Sequence, residues 1–280
     1  MDLGGSPSVA ISVAPNGGRI TKQEHPAVPI TVPELARTAA GCAAAGAAMI
    51  HIHVRDRAGR HILDPDAYRD AIAAIRREAG DDIVVQITSE SLGLYQPDEQ
   101  AAVIRAAHPE AVSMAVREFL PNSNREAAFA ELLEWMSRSQ IFPQFILYEP
   151  GEARYLDNLC RRGVVPWRSP PVLYVLGRYT SGQLSYPPDL LPFITGDMPR
   201  FAHWSVCAFG YHEAACVTTA ALLGGHVRVG FENNRFLPSG QQAAKNEDLV
   251  TAVTTPLIEL GRRLQTSSEW RAAMSALLRD

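Results

Sequence analysis

The stretch Met49-Ile50-His51-Ile52-His53-Val54-Arg55-Asp56 decides how this chain folds. Alternate residues of a strand share a face. His51, His53 and Arg55 therefore point one way, and Ile50, Ile52 and Val54 point the other. Two helices with clear starts flank the segment. Upstream, Thr31-Val32-Pro33-Glu34 reads as a capping box, and its helix runs to about Gly46. Downstream, Asp64-Pro65 is an N-cap followed by a proline, whose missing N–H is no loss in a first helical turn.

The same alternation extends in both directions. Strands are predicted over Ser8–Ala14, Met49–Val54, Ile83–Thr88, Ala111–Val116, Phe142–Tyr148, Pro171–Leu176, His203–Phe209 and His226–Phe231. After the first two helices, others are predicted over Pro97–Ala107, Ser123–Ser137, Gly151–Arg162, His212–Leu223 and Asn246–Leu264, with a short one near Asp189–Ile194. A last amphipathic helix, Ser268–Leu278, closes the chain. Apolar strands alternating with helices argue for a parallel sheet covered on both faces. Eight such units match an α/β fold of the (β/α)8 or TIM-barrel type, typically about 250 residues long, here with an extra C-terminal helix. A doubly wound open sheet shares the alternation, but no GxGxxG or Walker A loop favours it. No linker or composition break interrupts residues 1–280, so one domain is expected.

Composition narrows the class. The chain has 280 residues, 46% of them hydrophobic, which is ample for a large core. Its 26 basic and 30 acidic residues leave a net charge of -4, which speaks against a nucleic-acid partner. No apolar run approaches the roughly 18 residues of a membrane span. The leading MDLGGSPSVA lacks the basic and apolar regions of a signal peptide. Cys42, Cys160, Cys207 and Cys216 form no CxxC pair and read as buried thiols in a reducing compartment. A cytoplasmic enzyme without membrane or nucleic-acid partners is expected.

Barrel active sites lie at the C-terminal ends of the strands, which directs attention to polar residues there. Two imidazoles side by side suit a metal ion, although two hydrogen-bonded structural histidines would share the spacing. In His226-Val227-Arg228-Val229-Gly230-Phe231-Glu232-Asn233-Asn234, residues Arg228, Gly230 and Glu232 share a face. Gly230 either leaves room for a ligand or marks a bulge. In a closed barrel only the first strand separates this one from the strand of His51 and His53. Glu232 can then complete a two-histidine, one-carboxylate Zn²⁺ site with an open position, or pair with Arg228 or Arg55. Gly17-Gly18 forms a loop at the same rim, with Arg19 overhanging the barrel mouth. Arg117-Glu118 and Tyr148-Glu149 also end strands there.

Together, His25-Pro26-Ala27-Val28-Pro29-Ile30-Thr31, AGAAMIHIHVRD, QITSES and GGHVRVGFENN resemble the β-keto acid cleavage enzymes, over essentially the whole chain. The resemblance implies a (β/α)8 barrel, commonly a homotetramer, holding zinc or another divalent metal. It implies a β-keto acid and acetyl-CoA as substrates, giving acetoacetate and a new CoA ester. The family's metal ligands fall on His51, His53 and Glu232, its active-site arginine on Arg228, and its substrate-binding hydroxyl residues on Thr88 and Ser113.

Three departures bear on mechanism and specificity. The member acting on 3-keto-5-aminohexanoate has an aspartate as general base where this chain has Asn233, and an amide cannot take that proton. Its acidic partner on strand five is missing from Gln144-Phe145-Ile146. The base is then Glu149 or Glu118, or the reaction differs. Finally, the acid that holds the substrate's ammonium is replaced by Arg19, which predicts an anionic substrate tail. A metal-dependent hydrolase or lyase that ignores CoA, or a metal-binding homologue with impaired catalysis, are the alternatives.

Overall fold

The computed structural model describes residues 8–279, so Asp280 and most of the leading MDLGGSPSVA segment lie outside the described residues. Eight parallel strands close into a ring in chain order: Ile11–Val13, Met49–Ile52, Val84–Thr88, Ala111–Ala115, Phe142–Leu147, Val172–Leu176, Trp204–Ala208 and His226–Val229. The architecture is the (β/α)8 barrel, with helices packed outside. The helix starts obey local chemistry. Glu34 accepts the Thr31 N–H at 2.9 Å, and Asp64 accepts the Ala67 N–H at 2.8 Å, each satisfying an N–H that the helix cannot.

Register stacks the barrel interior in layers. His51 lies opposite Gln86, Thr88 opposite Ser113, Ser113 opposite Gln144, and Ser12 opposite Arg228. The lowest layer is apolar, formed by Ala10, Met49, Val84, Ala111 and Phe142. Trp270 and Met274, from the final helix Ser267–Leu277, plug it from below. Above it runs a polar belt in which Gln86 donates to Gln144 at 3.2 Å and Gln144 to Ser205 Oγ at 3.4 Å. Ile146, Leu173, Val175, Cys207 and Phe209 form an apolar patch higher up. The closed bottom leaves the C-terminal mouth as the open end.

Several boundaries differ from the sequence expectation. The predicted first strand divides into Ser8–Val9 and Ile11–Val13. The predicted helix to Leu264 stops at Glu259, and Arg263–Leu264 instead pairs in parallel with Ser8–Val9. The second strand ends at Ile52, and Val54–Arg55 turns away to pair antiparallel with His61–Ile62. The Asn16 side chain causes this break: its Oδ1 accepts the His53 N–H at 3.2 Å, and its Nδ2 donates to the His53 carbonyl at 2.8 Å. The eighth strand ends at Val229 because Gly230 turns at φ +135°, where a Cβ would lie 2.3 Å from the Ala14 carbonyl oxygen. The space at Gly230 is taken by the first strand's backbone rather than by a ligand.

Candidate functional site

His51, His53 and Glu232 converge at the mouth of the barrel, with one ligand atom of each within 4.8 Å of the others. The two Nε2 atoms are 3.1 Å apart, and Glu232 Oε2 lies 3.7 Å from His51 Nε2 and 3.4 Å from His53 Nε2. A tetrahedral zinc with ligand bonds of about 2.0–2.1 Å has donor–donor edges of about 3.3 Å. The three donors fit such an ion. Glu232 Oε2 is buried and has no hydrogen-bond partner, the condition expected of an atom made for a cation.

The protonation states suit that use. Burial holds His51 down to about 3 against the pull of Glu232, leaving a neutral imidazole. Burial alone would raise Glu232, but the charge of Arg228 above all holds it well below the usual carboxylate range. Gln86 Oε1 sits 2.9 Å from His51 Nδ1. If it accepts the Nδ1 proton, it directs the Nε2 lone pair toward the triad, as outer partners of metal ligands do. Gly17 is required for the packing here. It turns at φ +51°, and a Cβ would meet Glu232 Cγ at 2.6 Å.

Arg228 is buried beside the triad. Its Nη2 donates to Glu232 Oε1 at 3.0 Å and to Cys207 Sγ at 3.4 Å, while Nε and Nη1 have no partner. The metal-ligand and ion-pair readings of Glu232 therefore coexist, one on each oxygen. The free N–H groups of a buried guanidinium form an anion site.

The pocket over these groups has two contrasting sides. Gly17, Arg19, Thr88, Arg228 and Glu232 contribute polar surface, and Ile146, Val175 and Phe209 contribute apolar surface. Arg19 and Thr88 thus take places on the pocket wall, together with the metal triad and Arg228.

Other predicted residues do not. Ser113 is buried beside Thr88 in register, with an unpartnered Oγ, and does not line the pocket. Asn233 is likewise buried outside the wall, its amide unpartnered, because its backbone turns to bond Gly230 and Gly210. Glu149, expected as a candidate base, does not line this pocket. As the N-cap of helix Pro150–Arg161 its side chain is 69% exposed, and its nearest cation is Arg117 at 3.8 Å. Glu118 is half-buried under the rim, accepting bonds from the Ser91 N–H and Oγ, both at 3.0 Å, and from Gln100 at 2.7 Å. Burial raises its carboxyl above the usual range. Arg55 leaves the histidine face and ties down the loop of the first strand, with Nη2 donating to the carbonyls of Asn16, Gly17 and Ile20.

The wall also holds Tyr148, which the sequence places at the rim, and Glu90 and Arg178, which it did not single out. Their signal was positional. Each follows the end of a barrel strand, in QITSE, FILY and VLGR.

The model of the beta-keto acid cleavage enzyme family matches residues 8–275. The 3-keto-5-aminohexanoate cleavage enzyme of Fusobacterium nucleatum is 31% identical, over 95% of this chain and 97% of its own. The 3-oxoadipate:acetyl-CoA acetyltransferase of Cupriavidus necator is 24% identical, over 94% of this chain and 93% of its own. Among solved structures, apo ObcA matches the fold with a TM-score of 0.67 at 16% identity, covering 89% of this chain and 65% of that one.

Proposed function

The chain belongs to the beta-keto acid cleavage enzyme family, and on that premise we propose that it exchanges carbon between a β-keto acid and acetyl-CoA, giving acetoacetate and a new acyl-CoA. The observation that carries this reading is the meeting of His51, His53 and Glu232 with the half-satisfied guanidinium of Arg228 in one pocket. The relatives' names supply the co-substrate.

The chemistry balances without an outside oxidant. A base takes a proton from C2 of the keto acid, and the carbanion attacks the acetyl thioester carbonyl, expelling CoA thiolate. The thiolate then adds to the original ketone carbon. The bond between that carbon and C2 breaks, leaving the new acyl-CoA and the acetoacetate carbanion, which regains a proton. His51, His53 and Glu232 would hold a divalent ion, zinc in our reading, which would supply Lewis acidity favouring the enolate. Arg228 directs its unpartnered N–H groups to the substrate's anionic oxygens. Thr88 offers a hydroxyl beside them, while Ile146, Val175 and Phe209 keep water from the carbanion and thioester.

Arg19 and Arg178 supply two more cations on the wall, which favours a keto acid with an anionic tail. The relative named for 3-oxoadipate, a β-keto dicarboxylic acid, supports that choice. A homotetramer in the cytoplasm, as in our reading of the family, completes the proposal. A panel of dicarboxylic, neutral and amino β-keto acids, assayed for acetoacetate with and without acetyl-CoA and a chelator, tests it. Turnover that ignores acetyl-CoA would replace it with a hydrolase or lyase. Ligand binding with no turnover would identify an impaired homologue.

A further inference from the structure

Asn233 leaves the proposed reaction without the carboxylate that would take the C2 proton, and the structure indicates where another stands. Among the described residues, only Glu90 and Glu232 bring carboxylates to the pocket wall. Glu232 is bonded to Arg228 through one oxygen and turns the other to the histidine pair, where it would serve as a metal ligand. The Glu90 carboxylate has no hydrogen-bond or ion-pair partner among the described residues.

Its backbone, by contrast, is held at both ends. The Glu90 N–H donates to Thr88 Oγ1 at 3.0 Å, and the Glu90 carbonyl lies 2.9 Å from His61 Nε2. His61 comes from the short hairpin that begins where Asn16 breaks the second strand. On either side of Glu90, Gln100 donates to the Ser89 carbonyl and Glu118 accepts from Ser91. A pocket-lining residue with a fixed backbone and an unpartnered carboxylate is the arrangement a general base needs.

We propose that Glu90 is the general base of this enzyme. Its carboxylate takes the C2 proton of the β-keto acid as the carbanion forms, and returns a proton to C2 of acetoacetate after carbon–carbon cleavage. The base resides on the loop after the third strand rather than beside the metal-binding glutamate. This inference rests on the proposed carbon exchange, and the test separates the two.

The test measures deuterium wash-in at C2 of a β-keto acid, without acetyl-CoA and above the uncatalysed rate, alongside full turnover. It compares metal-loaded wild type, Glu90→Gln and Glu90→Asp. A general base contributes about 10²- to 10⁴-fold. Glu90→Gln is expected to lose at least about 100-fold in both wash-in and kcat, with KM and bound metal unchanged, and Glu90→Asp to recover part of both. Wash-in and turnover within threefold of wild type in Glu90→Gln would overturn the assignment, as would parallel loss of metal. Wild-type wash-in without acetyl-CoA turnover would overturn the proposed reaction, while the variants still decide the role of Glu90. A wild type that catalyses neither would overturn both.

Discussion

Arg228 Nη2 lies 3.0 Å from Glu232 Oε1, and this contact divides the carboxylate between a fixed cation on one oxygen and the histidine pair on the other. Arg228 is almost fully buried, so the pair has little solvent screening. Removing one partner of a buried pair leaves an uncompensated charge and costs about 3–5 kcal/mol. Arg228→Met should therefore lower stability by about that amount in urea unfolding of the metal-free protein. Unchanged stability would mean that Glu232 does not depend on Arg228.

Gln86 reaches the triad only through His51 Nδ1. Losing an outer partner of a metal-binding histidine typically weakens affinity about 10- to 100-fold. Gln86→Leu should show that loss in competition with a chelator while the barrel stays folded by circular dichroism. Wild-type affinity in the variant would separate the polar belt from the metal centre.

Arg19 is on the pocket wall, and its charge sets the predicted preference for an anionic tail. Arg19→Glu should lower kcat/KM for a dicarboxylic β-keto acid by about 10- to 100-fold and raise it for one with an ammonium tail. Identical ratios across the substrate panel in both proteins would remove Arg19 from specificity.

A second histidine pair, a buried His203 and a half-buried His226, lies at the closed end of the barrel. The rings of His203 and His226 have centroids 4.0 Å apart, and both His203 nitrogens lack partners. Burial, helped by His226, holds His203 well below the ordinary value, and burial holds His226 down to about 4. The unfolded chain takes up these protons from about pH 6.5 downward. The unfolded state then binds more protons than the folded state, so stability falls as pH drops from about 6.5 toward 4, by about 1.4 kcal/mol per unit for each histidine. His203→Phe should make the loss between pH 7 and pH 5 shallower by about 1–2 kcal/mol. Equal slopes in urea unfolding would contradict this.

Much of this was legible from side-chain period and spacing. The alternation of apolar strands with capped helices predicts the barrel. The HxH pair and the glutamate two residues past Gly230 predict the triad, because strands eight and two flank strand one in a closed ring. Other features depend on contacts that no local pattern encodes. Arg55 shares a face with His53 only while the strand continues, and Asn16, 37 residues away in sequence, ends it. Glu149 and Glu90 both follow strand ends, but the Glu149 side chain is exposed at the N-cap of the next helix, while bonds to Thr88 and His61 hold the Glu90 backbone at the pocket.

The central claim is carbon exchange between acetyl-CoA and a β-keto acid at this pocket. Acetyl-CoA labelled with carbon-13 at its carbonyl tests it most directly, incubated with the metal-loaded enzyme and a β-keto dicarboxylic acid and followed by NMR. The account predicts that the label appears at the ketone carbon of acetoacetate, that the new acyl-CoA stays unlabelled, and that His53→Ala abolishes both products. Unlabelled acetoacetate, or product formed at the same rate without acetyl-CoA, would contradict it.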